Sequence, residues 1–122
     1  MTEGQRRGGA GEPAEPPELR RLRKRIDALD RRIVKLLNER AELAREVGKV
    51  KTASGRRAIR DAQREREILL RVSMANDWPT PQADLLAIFK RLFAVARRIE
   101  RADRTRRQRA EPFGGTNRRP EG

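Results

Sequence analysis

A single apolar seam runs through the first half of this chain and constrains its fold more than any other feature. Between residues 18 and 52, apolar side chains recur at alternating intervals of four and three, and no Gly or Pro precedes Gly48. This heptad spacing predicts a long helix that packs lengthwise against a partner helix. The seam comprises Leu22, Ile26, Leu29, Ile33, Leu36, Leu43, Val47 and Val50.

A helix over this stretch would span about 50 Å at roughly 1.5 Å per residue. That length is too great for a compact monomer of 122 residues. The helix therefore needs a partner, which is either another chain or the rest of its own chain folded back along it.

A break at residues 53–55, Ala-Ser-Gly, separates this helix from a second one. The second helix is predicted to begin at Ile59 or Asp61 and to end near Ala75. Its apolar stripe comprises Ile68, Leu69 and Val72. Residues 76–79, Asn-Asp-Trp-Pro, are predicted to form the loop that follows.

A third helix is indicated by its start signal and by its apolar face. Thr80 is predicted as the N-cap and Pro81 as the first helical residue, and the helix extends to about Arg104. Its apolar face comprises Leu85, Ile88, Phe89, Leu92, Phe93, Val95, Ala96 and Ile99. The predicted fold class is therefore all-α, with three helices per chain and a long first helix.

The composition of the two ends differs from that of the helical part. Residues 1–17 are rich in Gly, Pro and Glu, and residues 105–122 are Arg-rich and then rich in Gly and Pro. Both compositions favour disorder. We therefore predict one helical domain over residues 18–104, a disordered N-terminal segment over residues 1–17 and a disordered basic tail over residues 105–122.

The absence of certain residue types limits the possible chemistry. The sequence has no Cys, which excludes disulfides and thiolate catalysis, and no His, which removes the commonest general base and metal ligand. No apolar run is long enough to span a membrane, and residues 1–17 lack the apolar core of a signal peptide. We expect a cytoplasmic protein without a metal.

Arg40 interrupts the seam at a position where the heptad count from Leu36 to Leu43 expects an apolar side chain. A guanidinium on a buried seam is costly unless an anion meets it. Lys51 lies eleven residues later, close to three whole turns, so both cations share one helix face. Each cation alone also fits a side chain that reaches solvent or pairs with a neighbouring Glu. Together they favour a dianionic ligand.

Charged groups on the other two helices extend this pattern. Asp61, Arg64 and Glu65 stand at i, i+3 and i+4 and share one face. Glu100 follows Ala96 by about one turn, at the margin of the third apolar face. Taken singly, these groups also fit a solvated surface or a helix N-terminus that favours acids. The combination predicts a polar pocket, lined by cations and two or three carboxyl groups, inside a helical bundle.

These residues resemble the all-helical, AroQ-type chorismate mutases over about residues 19–100. The resemblance rests on residues 22–30 (LRKRIDALD), 33–44 (IVKLLNERAELA), 46–51 (EVGKVK) and 59–69 (IRDAQREREIL), and on Ile88-Phe89 with the Arg-rich end of the third helix. It implies an intertwined homodimeric helical bundle in which the first helices pair and each active site draws on both chains.

The resemblance also implies roles for individual residues. Arg23 would enter the partner's site and bind one substrate carboxylate, Arg40 would bind the other, and Lys51 would contact the ether oxygen and a carboxylate. Asp61 and Glu65 would lie near the ring hydroxyl, with Arg64 beside them, and Glu100 would face the ether oxygen. The predicted catalytic residues are Lys51, Glu100, Arg40 and Glu65, and the predicted substrate-binding residues are Arg23, Arg40, Lys51, Asp61, Arg64, Glu65 and Ala96.

Ala96 departs from the pattern, because some members of the family have a serine there that helps to hold a carboxylate. The loss of one neutral hydrogen bond costs about 1 kcal/mol, so weaker substrate binding is expected rather than lost chemistry. The departure also leaves the identity of the substrate open.

The implied reaction is the rearrangement of chorismate to prephenate in the phenylalanine and tyrosine branch of aromatic amino-acid biosynthesis. It is unimolecular and pericyclic and needs no cofactor, nucleophile or obligatory proton transfer. Arg23 and Arg40 would clamp the carboxylates, and Lys51 would stabilise the charge that grows on the ether oxygen. Glu100 must be protonated to donate a hydrogen bond to that oxygen, so activity is expected to fall as pH rises and Glu100 loses its proton.

Other readings of the sequence stay open. A mutase acting on 4-amino-4-deoxychorismate would use the same clamp, and isochorismate-pyruvate lyases share the fold, although the second-helix motif here resembles the mutases. The net charge of +13 also fits a basic module that binds nucleic acid. Against that reading, the basic residues are spread over all helices and no nucleic-acid motif appears. A ligand-free coiled-coil dimer would leave Arg40 on the seam unexplained.

Overall fold

Three helices and their connections make up the described part of the chain, residues 11–110 of the computed structural model. Helix α1 spans Pro17–Ala53, α2 spans Ala62–Ala75 and α3 spans Gln82–Ala110. No strand occurs within residues 11–110, which confirms the all-α prediction. Most of each terminal segment predicted to be disordered, residues 1–10 and 111–122, lies outside the described residues. Nor do the described residues contain a helix long and apolar enough to cross a membrane.

The chain divides into two units, residues 1–38 and residues 39–122, and α1 runs through both. In the first unit, the seam side chains of α1 are between 50 and 57% exposed. They are Leu22, Ile26, Leu29, Ile33 and Leu36. Burial of such side chains is the main source of stability for a helix of this kind. A single chain thus leaves the apolar stripe of its first unit uncovered.

Helix α1 ends where the sequence predicts a break. Gly55 has a φ of +82°, in the left-handed region that favours glycine. The amide of Arg56 donates to the carbonyl of Lys51 at 2.8 Å, and the amide of Gly55 donates to the carbonyl of Thr52 at 3.1 Å. This pair of bonds is the Schellman motif, which satisfies carbonyls that the helix end would otherwise leave free.

Helix α2 begins at Ala62, just after Asp61, which takes the N-cap position. The Asp61 Oδ1 accepts a hydrogen bond from the amide of Arg64 at 2.9 Å. Of the two predicted starts, Ile59 and Asp61, Asp61 is closer to the observed first residue, Ala62. The predicted end near Ala75 is confirmed. Helices α2 and α3 then pack against each other across a short loop.

Helix α3 differs from the prediction at both ends. The carbonyl of Pro81 accepts the amide of Leu85 at 3.0 Å, so Pro81 rather than Thr80 occupies the N-cap position. At the other end, the helix continues past the predicted boundary near Arg104 to Ala110. The prediction of disorder from residue 105 was therefore wrong for residues 105–110.

Buried charge explains the longer helix. Asp103 is only 6% exposed and bonds the guanidinium of Arg45 on α1, with its Oδ2 3.0 Å from Nε. Arg106, one turn further along α3, also pairs with Asp103. A second tie runs from the Arg107 guanidinium to the Thr52 hydroxyl at 3.4 Å. These contacts fix the last turns of α3 against the end of α1, and composition alone did not reveal them.

Candidate active site

The second unit contains a pocket of about 300 Å³ between the C-terminal part of α1, the start of α2 and the middle of α3. Its apolar lining includes Leu43, Val47, Ile59, Ile68 and Phe93. Its charged lining contains Arg40, Lys51, Asp61, Arg64, Glu65, Arg97 and Glu100. With Ala96, which also lines it, the pocket brings together every predicted site residue except Arg23.

Arg40 stands over two aromatic rings of α3. Its Cζ lies 5.7 Å from the centre of the Phe93 ring and 6.0 Å from that of Phe89. The negative faces of the rings attract the cation and hold it at the pocket wall. Within residues 11–110, Arg40 forms no ion pair with a carboxylate, so its hydrogen-bond donors are free for a ligand.

Lys51 and Glu100 form the most buried charged contact of the pocket. The Lys51 Nζ lies 3.0 Å from the Glu100 Oε2 and 3.3 Å from its Oε1, and the side chains are 16% and 10% exposed. Lys51 also donates to the carbonyl of Ile59 at 3.0 Å, in the connection between α1 and α2. An ammonium has three N–H donors, so these two partners leave one donor for another oxygen.

Glu100 has a second cation beside it, which the sequence analysis missed. The Nη2 of Arg104 lies 3.1 Å from the Glu100 Oε2, one helical turn along α3. In this arrangement Glu100 accepts hydrogen bonds from both Lys51 and Arg104. The i, i+4 spacing of Glu100 and Arg104 is visible in the sequence, but such pairs are common on exposed helix faces and do not mark a site.

Gly48 allows Glu100 to approach α1 closely. Gly48 is buried, and a Cβ added there would lie 3.2 Å from the Glu100 Cγ and 3.4 Å from its Cδ. A glycine inside a helix usually weakens it relative to alanine. Here the missing side chain makes the room that the carboxylate uses to reach Lys51.

Glu65 is held on both of its oxygens. Its Oε1 accepts from the Nε of Arg60 at 3.2 Å, and its Oε2 pairs with Arg97. The side chain is 15% exposed, so these charge-assisted bonds lie in a partly dry environment. Arg97 was not predicted as a site residue, although it follows Ala96 directly and lines the same pocket.

Asp61 and Arg64 are more exposed than Glu65, with which they were predicted to share a helix face. Asp61 uses one carboxylate oxygen as the N-cap of α2, so part of its role is structural. The Arg64 side chain is 51% exposed, and its Nη1 lies 3.8 Å from the Oε1 of Glu67. A contact of this length at the surface holds the side chain weakly, so Arg64 can turn toward a ligand.

Arg23 lies in the first unit of the chain, outside this pocket. Its Nη1 pairs with the Oε2 of Glu15 at 2.7 Å, and the Arg23 side chain is 65% exposed. Its predicted role in a partner's site stays a prediction.

The Arg45–Asp103 contact joins α1 to α3 outside the lining of the pocket. Burial alone would raise the pKa of Asp103, but the hydrogen bond and charge of Arg45, together with Arg106 and Arg107, lower this pKa below its usual value. The same contact raises the pKa of Arg45. Asp103 therefore stays charged at neutral pH and ties α3 to α1.

The pocket as a whole suits an anion with two separated negative groups. Glu65 and Glu100 are already matched by cations, whereas Arg40 and Arg64 have donors to spare. Guanidinium groups bind carboxylates through paired hydrogen bonds. Lys51 adds a fixed positive charge within the same cavity.

Comparisons with known proteins point to one family. A family model described as chorismate mutase type II matches residues 22–101. The chain is 35% identical over 88 residues to a bifunctional chorismate mutase/prephenate dehydratase of Aquifex aeolicus (strain VF5), an alignment that covers 69% of this chain and 24% of the relative.

Two further relatives carry the same description. The one from Stutzerimonas stutzeri is 34% identical over 91 residues, covering 71% of this chain and 25% of the relative. The one from Escherichia coli (strain K12) is 53% identical over 51 residues, covering 42% and 13%. The alignments with the first two relatives thus span about a quarter of their length.

Proposed function

Because the chain belongs to the chorismate mutase type II family, we propose that it is an isomerase that rearranges chorismate to prephenate. The observation that carries the proposal is the convergence of Arg40, Lys51 and Arg64 on one pocket. Chorismate carries two carboxylates and an ether oxygen, and these three cations supply a partner for each kind of group.

The reaction moves no atoms between molecules. One C–O bond of the substrate breaks while one C–C bond forms, so the enzyme needs neither a nucleophile nor a co-reactant. Catalysis then consists of holding a flexible dianion in a compact, chair-like shape and stabilising the oxygen that gains negative charge. Arginine and lysine side chains can do both.

Arg40 and Lys51 divide these tasks in the proposal. Arg40, held over Phe93, binds a carboxylate and fixes the orientation of the substrate. Lys51 offers its remaining N–H donor to the ether oxygen, while Glu100 and the carbonyl of Ile59 hold its ammonium in place. A preorganised charge of this kind costs no reorganisation when the bond breaks.

Glu65 and Glu100 play different parts. Glu65, fixed by Arg60 and Arg97, is proposed to accept a hydrogen bond from the ring hydroxyl. For Glu100, donation to the ether oxygen requires a proton, whereas its carboxylate accepts hydrogen bonds from Lys51 and Arg104. Protonated Glu100 thus stays a prediction, which the pH experiment described below tests.

We also propose that the active protein is a homodimer whose two sites each draw on both chains. The exposed seam of α1, from Leu22 to Leu36, supplies an apolar surface that a second α1 would cover. Arg23 lies on this same stretch with its guanidinium exposed, as a residue that serves a partner's site must be. The proposed compartment is the cytoplasm, which fractionation of the producing cells would check.

The direct test is an assay of purified full-length protein that follows the loss of chorismate by ultraviolet absorbance and identifies the product. We expect conversion to prephenate that is abolished in Arg40→Ala and retained in Arg91→Ala, an exposed arginine on α3. The assay is repeated with 4-amino-4-deoxychorismate, since Ala96 leaves the substrate open. If only the amino compound is turned over, the substrate is 4-amino-4-deoxychorismate and not chorismate. A folded protein that turns over neither compound would refute the proposal.

A further inference from the structure

A second concave surface lies beside the candidate active site, and we call it the arginine pocket. It has a volume of about 240 Å³ and lies between the end of α1, the connection after it and the last turns of α3. Four arginines line it, together with a hydroxyl and a turn glycine: Arg56, Arg57, Arg104, Arg107, Thr52 and Gly55. Gln108 completes the lining, and no carboxylate of residues 11–110 belongs to it.

The positive charge of this pocket is poorly neutralised. Within residues 11–110, the guanidiniums of Arg56, Arg57 and Arg107 form no ion pair, and Arg107 only reaches the Thr52 hydroxyl at 3.4 Å. Asp103 is the acid whose pKa the charge of Arg107 lowers, but its carboxylate is already bonded to Arg45 and Arg106. Like charges gathered in one concavity repel one another, and an anion bound among them removes that cost.

Arg104 distinguishes this pocket from an ordinary basic surface. Its side chain is only 20% exposed, with Nη1 donating to the carbonyl of Arg57 at 2.5 Å and Nη2 pairing with Glu100. Its Nε is buried and finds no acceptor within the described residues. One wall of the pocket is thus a fixed guanidinium, held by the backbone of the connection that also carries Arg56.

We propose that the arginine pocket binds a small anion that carries phosphate groups. Phosphate accepts hydrogen bonds from several directions at once and bears more charge than a carboxylate, which suits guanidiniums converging from a connection and a helix. The turn at Gly55 leaves the mouth open, because a Cβ added there would meet nothing within 4 Å.

Arg104 would connect this pocket to catalysis, a consequence that rests on the proposed function. Its guanidinium is shared between the arginine pocket and Glu100. A phosphate bound at Arg104 offsets part of the charge of this guanidinium, so the Glu100 carboxylate then offsets more of the Lys51 charge that would act on the ether oxygen. Binding of the anion should therefore lower kcat, while the binding itself is measurable without any assay of activity.

The test is calorimetric titration of the full-length protein with pyrophosphate at constant ionic strength. We expect saturable binding with one pyrophosphate per chain. Binding should weaken at least about tenfold in the double variant Arg56→Gln/Arg57→Gln, which removes two charge-assisted partners. The matched control Arg98→Gln/Arg101→Gln removes the same charge from exposed positions of α3 outside the pocket and should bind as the wild type does.

Three outcomes would overturn the proposal. The first is the absence of saturable binding to the wild type. The second is an equal loss in both double variants, which would indicate diffuse attraction to a basic protein. The third is a loss in Arg40→Ala with retention in Arg56→Gln/Arg57→Gln, which would move the anion to the candidate active site. Helical content measured by circular dichroism confirms that each variant is folded before it is titrated.

Discussion

The Lys51 ammonium and the Glu100 carboxylate meet at 3.0 Å across the wall of the candidate active site, and both side chains are largely buried. Replacing both partners of such a buried pair together costs little stability. Removing only one partner is destabilising, because it leaves the other charge buried without a partner. A substitution of either residue is therefore expected to disturb the position of the other, and its effect on activity includes that disturbance.

Replacement of Lys51 tests the charge that the proposed reaction requires. Lys51→Gln should lower kcat by about 10²- to 10³-fold, the range typical for the loss of a preorganised group that stabilises developing charge. The steady-state rate of chorismate loss measures the effect. Lys49→Gln, an exposed neighbour paired with Glu46, is the matched control and should stay near the wild-type rate. Equal rates in the two variants would remove Lys51 from the mechanism.

The pH dependence of activity tests whether Glu100 must carry a proton. If protonated Glu100 donates to the ether oxygen, kcat falls as pH rises, and Glu100→Gln flattens this dependence because an amide donates at every pH. The measurement is kcat from pH 4 to 9 in both proteins. Wild-type and Glu100→Gln profiles of the same shape would show that the protonation of Glu100 does not set the pH dependence of kcat.

Gly48 is expected to matter for function more than for stability. Gly48→Ala gains up to about 1 kcal/mol of helix propensity, and crowding against the Glu100 Cγ, 3.2 Å from the new Cβ, offsets this gain. We expect a net change within about 1 kcal/mol in the free energy of unfolding. The displaced carboxylate should disturb Lys51 and reduce kcat severalfold.

Urea unfolding and the chorismate assay measure the two effects of Gly48→Ala. In Gly48→Ala/Glu100→Ala the crowded carboxylate is gone, so the added methyl group should change kcat little relative to Glu100→Ala alone. Full activity in Gly48→Ala would mean that Glu100 need not approach α1 closely.

Asp103 should make the free energy of unfolding fall as the solution is acidified. Its pKa in the folded protein lies below the usual value, so its contribution to stability is complete at neutral pH and is lost as pH falls below about 4, through the folded pKa. Asp103→Asn should unfold more easily than the wild type at pH 7 and lose less stability on acidification. Urea unfolding at pH 7 and pH 3 measures the difference.

Asp77→Asn, an exposed acid in the loop before α3, is the control for Asp103→Asn and should follow the wild type at both pH values. If Asp103→Asn lost stability in acid as steeply as the wild type, the tie between Arg45 and Asp103 would not be the acid-sensitive contact.

The sequence predicted the helices well because each carries its own local signals. The heptad seam and the turn at Gly55 marked α1, and the acid at Asp61 marked the start of α2. The end of α3 escaped prediction because residues 105–110 carry almost no apolar side chains. Their helix depends on Asp103, Arg106 and Arg107, whose partners lie more than fifty positions away or are visible only once α3 forms.

The pocket lining shows the same limit. Helical periodicity placed Arg40 and Lys51 on one face, and both line the pocket. Arg97 and Arg104 looked like two more basic residues in an Arg-rich stretch, since periodicity does not say which cation meets which carboxylate. The pairing of Arg97 with Glu65 depends on how α3 packs against α2, and the i, i+4 pairing of Arg104 with Glu100 becomes part of a site only because Lys51 on α1 meets the same carboxylate.

Helix α1 carries both Arg23, in the first unit of the chain, and Arg40, in the second. If the chains pair as proposed, this arrangement has a genetic consequence. Arg23→Ala and Arg40→Ala homodimers would each be inactive. In a mixed dimer of the two variants, one site would contain both substitutions and the other site would contain neither. Two defective alleles should then complement each other within one cell, and a co-expressed mixture should recover activity that neither parent shows. Two such alleles that fail to complement, although their products form mixed dimers, would show that each chain completes its own site.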